Sequence, residues 1–283
     1  MILVLLALGC AATQPGPETW RLDGAVAESS GLAASARHPG TFWTHGDSGT
    51  GNWLFAVDGQ GRVEARVQVK GAELVDWEDL TPDGDGNLWL ADSGNNDNDR
   101  RDLAMYRVPE PDPDTAREAR IDRAVRFSYP DQAAFPGDGP LNFDAEAVFW
   151  SEGRLYLLTK HRSDHDTTLY RFPADEGVVV LERVSSFTVG GPDDRSGGKV
   201  TAASLSPDGQ TLALLTYHAV LLFGRPASGD DWLSRPLSQF PLVQTTTRQC
   251  EAVAWDGPAL IVGNEEGRLF RVADPTRRAT PFP

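Results

Sequence analysis

Cysteine, histidine and positive charge are all scarce in this chain, and each shortage removes a class of function. Its 283 residues include two cysteines, Cys10 and Cys250, and five histidines. With Cys10 assigned to the leader described below, no disulfide framework is available. Cys250, placed ahead of Glu251 in an apolar stretch, reads as a buried structural thiol. Lysine and arginine number 26 against 41 aspartates and glutamates, a net charge of −15. A surface of that sign repels phosphate backbones and anionic lipid. No nucleic acid partner is therefore expected, and a membrane is reached only through a lipid anchor. Long apolar stretches of helical period are missing, and no run reaches the length of a membrane span. HExxH, GxSxG, Walker and GxGxxG motifs are absent too.

What is present is turn-forming residues and apolar material for a core. Glycine (28) and proline (20) are abundant, and 40% of residues are hydrophobic. That combination favours short strands joined by many turns. The chain opens MILVLLALGC. Seven apolar residues followed by Gly9 and Cys10 read as a signal peptide (1–10) ending in a lipobox, with Cys10 as lipid acceptor. No lysine or arginine precedes the apolar run, and Ala7 stands where leucine is usual. An ordinary signal peptide or a buried strand are the alternatives. Residues 11–18, with Pro15 and Pro17, then form a linker, and 19–283 a single domain. The protein is expected to be exported, as a periplasmic, outer-membrane or cell-surface lipoprotein or else freely secreted, and to be a monomer.

Five related strand openings recur: AESSGLA (27–33), VDWEDLT (75–81), FDAEAVF (143–149), VTAASLS (200–206) and QCEAVAW (249–255). Aligned on Leu32, Leu80, Val148, Leu205 and Val253, they are spaced 48, 68, 57 and 48 residues apart. These are lengths of four-stranded propeller blades, with insertions in the second and third units. Outer strands are expected at 62–69, 121–129, 178–187 and 232–242. The fifth unit lacks one, and the strand at 19–23 (TWRLD) has no unit of its own. An all-β, five-bladed β-propeller follows, closed by that N-terminal strand on the last blade. A six-bladed ring is the alternative, if the 80–148 interval hides a blade.

In a propeller, the start of each innermost strand and the end of the next strand meet at one mouth of the central channel. Two residues before each aligned aliphatic stand Ser30, Glu78, Glu146, Ala203 and Glu251. Three carboxylates and a hydroxyl would ring a narrow pore, where like charges repel unless a cation or protons neutralise them. Oxygen donors suit calcium first and magnesium second. Pairing with arginine, bonding to backbone amides or plain hydration are the alternatives. The second-strand exits add His45, Asp47, Asp92, Asn95, Lys160, Arg162, His218 and Glu265, polar groups that converge as in a site for a small-molecule or peptide ligand. His161 and His165 flank Asp164 without a strong metal spacing. Three look-alikes are set aside. Residues 46–49 spell the GDSG of trypsin-like proteases without the rest of that signature. Residues 83–87 resemble the start of a calcium loop but lack its glutamate. Asp76-Trp77 opens a blade, unlike the WD of WD40 repeats.

These openings, in this order, resemble those of a family of uncharacterised bacterial secreted or lipid-anchored β-propeller proteins. The likeness spans about residues 28–272 and implies a fold more than an activity. One acidic group per blade at the channel is also similar to the calcium-dependent apyrases and, more loosely, to gluconolactonase- and paraoxonase-like propellers. By position, that resemblance makes Ser30, Glu78, Glu146 and Glu251 calcium ligands, with Ala203 leaving its place to water or a backbone oxygen. The apyrases' nucleotide-binding basic residues are matched only by Lys160 and Arg162. The expected function is a cell-envelope or secreted propeller with a channel calcium and a ligand-binding face. One alternative is a calcium-dependent phosphoester or lactone hydrolase with His45, His161 or His218 as acid–base groups. The other is an interaction scaffold.

Overall fold

A computed structural model describes residues 18–282, apart from 27, 48, 73–74, 137–138, 191–197 and 243. The expected leader with Cys10, and linker residues 11–17, lie outside the described residues. Five sheets stand around a common axis as five blades. Their innermost strands are Ser29–Ala34, Trp77–Pro82, Asp144–Ser151, Val200–Leu205 and Cys250–Asp256, and each touches the inner strands of the blades on either side. The second strands are Thr41–Gly46, Asn87–Asp92, Arg154–Lys160, Thr211–Thr216 and Ala259–Asn264. They lie between neighbours within the sheet and between blades on both faces, so they read as continuous apolar runs such as Leu88-Trp89-Leu90-Ala91, all buried. The outer strand Val63–Lys70 shows the alternative pattern, with Ala65, Val67 and Val69 buried between exposed or half-exposed polar residues.

Five apolar clusters fill the five inter-blade gaps. Trp43, Leu54 and Val67 of blade one meet Leu80, Leu90 and Val108 of blade two. At the closing gap, Leu32, Phe42 and Val57 of blade one meet Ala254, Ile261 and Leu269 of blade five. The ring is shut as the repeat pattern requires. Glu18–Arg21 pairs antiparallel with Arg268–Val272, from Glu18 opposite Arg271 to Arg21 opposite Arg268. The following turn locks it, because the Asp23 amide donates to the Gly61 carbonyl at 2.9 Å. Gly61 has φ of +80°, and a methyl there would lie 2.6 Å from the Arg21 carbonyl oxygen. Gly61→Ala should therefore cost ~2–4 kcal/mol in urea unfolding. Gly59→Ala, which meets only Phe42 at 3.8 Å, should be close to neutral.

The structure has five blades, and among the described residues the 80–148 interval contains no sixth sheet. Three features differ from the sequence expectation. Residues 178–187 are two strands in different blades. Gly177–Val180 joins blade two, parallel to Arg123–Ser128, and Glu182–Thr188 completes blade three. Buried Leu181 sits at the break between them. Likewise Glu118–Arg120 runs parallel to Val63–Lys70 on blade one, and Thr280–Pro281 pairs with Pro236–Pro241 on blade four. The stretch 232–242 begins as a 3-10 turn, Trp232–Ser234, before that strand.

The third difference concerns register. Every inner strand carries a bulge near its start, between Ser29 and Gly31, Trp77 and Leu80, Ala145 and Ala147, Val200 and Ala202, and Cys250 and Ala252. The residues set off at the bulges include Ser30, Glu78, Glu146, Thr201 and Glu251. Blade four was thus expected two residues out of register. Its bulge holds Thr201, while Ala203 pairs with Leu214 as Val253 pairs with Val262. Thr201 donates its hydroxyl to the Cys250 carbonyl at 2.8 Å and so ties blade four to blade five. Bulges re-aim side chains and end regular pairing, which is how four of the five reach the channel mouth.

Candidate cation and ligand site

Ser30, Glu78, Glu146 and Glu251 all face one polar cavity of about 260 Å³ at the channel mouth. Around them stand Glu28 and Asp76 from the approaches to the inner strands, and Asp47, Lys160 and Glu265 from the exits of the second strands. Ser29, Asn96, Arg162, Tyr217 and Gln249 complete the wall. A wider depression of about 440 Å³ continues from Tyr217, Gln249 and Glu265 to His218, Arg248 and Glu266. Strand ends place these groups. Lys160 closes its strand opposite Asp144, and Asp47, Tyr217 and Glu265 each come one residue after a strand end.

Oxygens of Glu78, Asp144 and Glu146 lie within 4.8 Å of one another. Two of the three are already engaged. Glu146 Oε1 is 2.8 Å from Lys160 Nζ. Asp144 accepts from Arg162 Nη2 at 2.7 Å and from the Asn95 amide at 2.7 Å. Glu78 is 7% exposed and has no hydrogen-bond or ion-pair partner among the described residues. It shares its space with Asp76 across Gly94. A methyl on Gly94 would fall 2.2 Å from Glu78 Oε1 and 2.3 Å from Asp76 Oδ2. Only a residue without a side chain leaves the two carboxylates room to converge there.

Burial, then the charges of Glu146, Asp144 and Asp76, push Glu78 well above the ordinary carboxyl range. Burial followed by Asp47 and Asp144 raises Asp76 to about 6. Glu251 is raised by burial to about 7 against the pull of Lys160. For Lys160 burial acts downward, but Glu146 and Glu251 outweigh it and hold the ammonium well above its usual value. The mouth thus carries an excess of negative charge that only protons, or an added cation, can balance.

The other residues expected here divide. Asp47, Lys160, Arg162 and Glu265 line the cavity. Asp92 and Asn95, each 1% exposed, serve the framework instead. Asp92 accepts from the Asp76 amide at 2.9 Å and pairs with Arg100, while Asn95 donates to the Phe143 carbonyl and accepts from the Arg100 amide. The three histidines do not converge. His45 pairs with Gly31 one residue short of the strand end and is fully buried edge-on to Trp77, 5.5 Å between ring centres. Burial lowers its pKa. His161 is bonded to Asp164 at 2.7 Å and opens on a separate cavity with Tyr170 and Arg183. Only His218 stands beside the mouth. Asp76 and Asp144 belong to the acidic strand openings that the repeat places at this mouth, but sequence reasoning did not count them among the ligands. Tyr217, the residue after a second-strand end, likewise stands at the mouth without having been counted as a site residue.

No family model matches the chain, and no curated protein sequence matches it. Among solved structures it is similar to the PQQ-bound aldose sugar dehydrogenase of Streptomyces coelicolor, with 11% identity, 92% of this chain and 99% of that chain covered, and a TM-score of 0.50. It is also similar to a 6-phosphogluconolactonase-like protein of Bacteroides uniformis, with 15% identity, 86% and 66% covered, and a TM-score of 0.43. A catalytically inactive virginiamycin B lyase of Staphylococcus aureus gives 13% identity, 87% and 66% covered, and a TM-score of 0.40. The chain spans 66% of the length of the last two. At such identities the likeness concerns the fold alone.

Proposed function

We propose that this propeller binds a divalent cation, calcium, in its channel mouth and presents a ligand-binding face around it. The observation that carries the reading is Glu78, a buried carboxylate with no partner among the described residues, facing a cavity beside two further carboxylates within 4.8 Å. The donor set is all oxygen, and its spacing suits an ion that takes ligands at roughly 2.3–2.6 Å. Glu78, Glu146 and Asp144 would hold the ion, with Asp76 beside them. Ser30 and Glu251 face the same cavity, with Glu251 outside that cluster. Lys160 and Arg162 neutralise Glu146 and Asp144 before the ion arrives, so calcium has to share those oxygens. Binding rather than hydrolysis is favoured because His45 and His161 stand away from the cavity. With the leader and lipidated Cys10 read from the sequence, the face would be displayed at the cell envelope.

Calorimetric titration of the metal-free protein should give one saturable calcium site and a rise in melting temperature. Glu78→Gln removes the free charge and should weaken binding ~100-fold or more, since hydrogen-bond acceptors survive but the anion does not. Gly94→Ala should do the same by filling the space between Glu78 and Asp76. Calcium affinity unchanged in both variants would remove the site from consideration.

A further inference from the structure

We propose that the ligand of this face is an aliphatic diamine or polyamine, bound beside the ion on the Glu251–Glu265–Tyr217 side of the mouth. The inference rests on the cation reading above and adds the chemistry of the ligand. Seven carboxylates line the mouth cavity against two bases, so one divalent ion leaves a surplus of negative charge. An anion such as phosphate would enter against that surplus. A neutral ligand would leave the charge unbalanced, and an ammonium would reduce it.

The wall also shows how an ammonium is held. Lys160 Nζ sits 2.8 Å from Glu146 Oε1 and 5.1 Å from the centre of the Tyr217 ring. A carboxylate and an aromatic face together are a recurrent receptor for ammonium groups. Next to it a second carboxylate pair is drawn together. The Gln249 side-chain nitrogen donates to Glu251 Oε1 at 2.9 Å and to Glu265. Glu251 lies outside the Glu78–Asp144–Glu146 cluster, so the pair stays available when the ion is bound. Tyr217, Gln249 and Glu265 also border the wider depression, which gives an extended chain of methylenes a path toward Glu266. Glu78, buried and with no partner among the described residues, faces the same cavity and marks it as one built to receive positive charge.

The test is titration of the calcium-loaded protein with putrescine and, separately, with inorganic phosphate. Putrescine should bind and phosphate should not. Glu265→Gln, at the exposed rim where the fold is not at stake, should weaken putrescine ~5–10-fold, and Tyr217→Leu ~3–10-fold. Both should leave calcium affinity within a few-fold of wild type. Glu78→Gln should lose calcium yet still bind putrescine. Calcium binding without putrescine binding, or phosphate binding in preference to putrescine, would overturn the ligand class and leave the ion site standing. Putrescine binding that is abolished by Glu78→Gln but untouched by Glu265→Gln would overturn the proposed position.

Discussion

Replacing Asp79 by alanine should cost about 4–5 kcal/mol of folding stability, a large share of the 5–15 kcal/mol that holds a typical domain. Asp79 is fully buried. One carboxylate oxygen accepts the Leu80 amide at 2.8 Å, and the other accepts Val148 at 2.9 Å and Ala203 at 3.2 Å. A single side chain thereby satisfies backbone donors of blades two, three and four. An inner strand has no neighbour on its channel side, so amides facing the axis need such a partner. Alanine would strand three of them, each costing about 1–3 kcal/mol. Asparagine keeps one acceptor oxygen but turns an NH₂ toward donors, and should cost ~2–3 kcal/mol. Urea midpoints at constant slope are the measurement, and an unshifted Asp79→Ala midpoint would remove this role. Burial pushes the Asp79 pKa well above its usual value, and the three amides pull against that shift.

Without calcium, the protein should become less stable as the pH rises from about 5 to 8, and calcium should reduce the loss. Asp76 and Glu251 have folded values of about 6 and about 7, and Glu78 is also raised, all by burial first. Unfolded carboxyls titrate near 4. Between those values the folded state holds protons that the unfolded state has released. The contribution is therefore complete below about 4 and disappears as the pH passes the folded values. Glu251, 7% exposed, alone accounts for something on the order of 3 kcal/mol. Carboxyls held below their usual value despite some burial, Asp58 by backbone amides and Arg62 and Asp164 by the Asp166 amide and His161, act in the opposite sense only under about pH 4. His45, lowered by burial, is one opposing group within the window against three carboxyls. An ion among Glu78, Asp144 and Glu146 keeps these carboxylates, and Asp76 beside them, ionised when folded, so their share of the slope should vanish with calcium present while that of Glu251 remains. Chemical denaturation at pH 5 and pH 8, with and without calcium, decides it. Stability that climbs with pH in the metal-free protein would contradict the reading.

How far the chain could be read in advance follows from what each feature writes into side chains. The acidic bulges of blades two, three and five announce themselves because a carboxylate breaks an apolar run at Glu78, Glu146 and Glu251. Blade four has no such mark. Thr201-Ala202-Ala203 offers only small residues, and Leu205 attracted the alignment two residues too far. The added outer strands, such as Glu118–Arg120, pair through backbone groups at a sheet edge and have no compositional signature. The site was legible as a list of acids but not as a set of partners. That Lys160 reaches back onto Glu146, that Asp144 is held by Arg162, and that Glu78 is left alone are facts of non-local geometry. His45 misled because period-two alternation was not followed to the strand end, where its neighbour Gly46 takes the final pairing position opposite Ser29.

The borrowed rims have a mechanical meaning. Blade one is edged by Glu118–Arg120, which follows blade two's inner strands, blade two by Gly177–Val180 from blade three's stretch, blade four by Thr280–Pro281, and blade five by Glu18–Arg21. Four of the five sectors are therefore edged by a strand from elsewhere in the chain, unlike the units of an open solenoid. Heat or denaturant should meet one collective melting event, and a pull on either end should strip an edge from a blade whose other strands lie far along the chain.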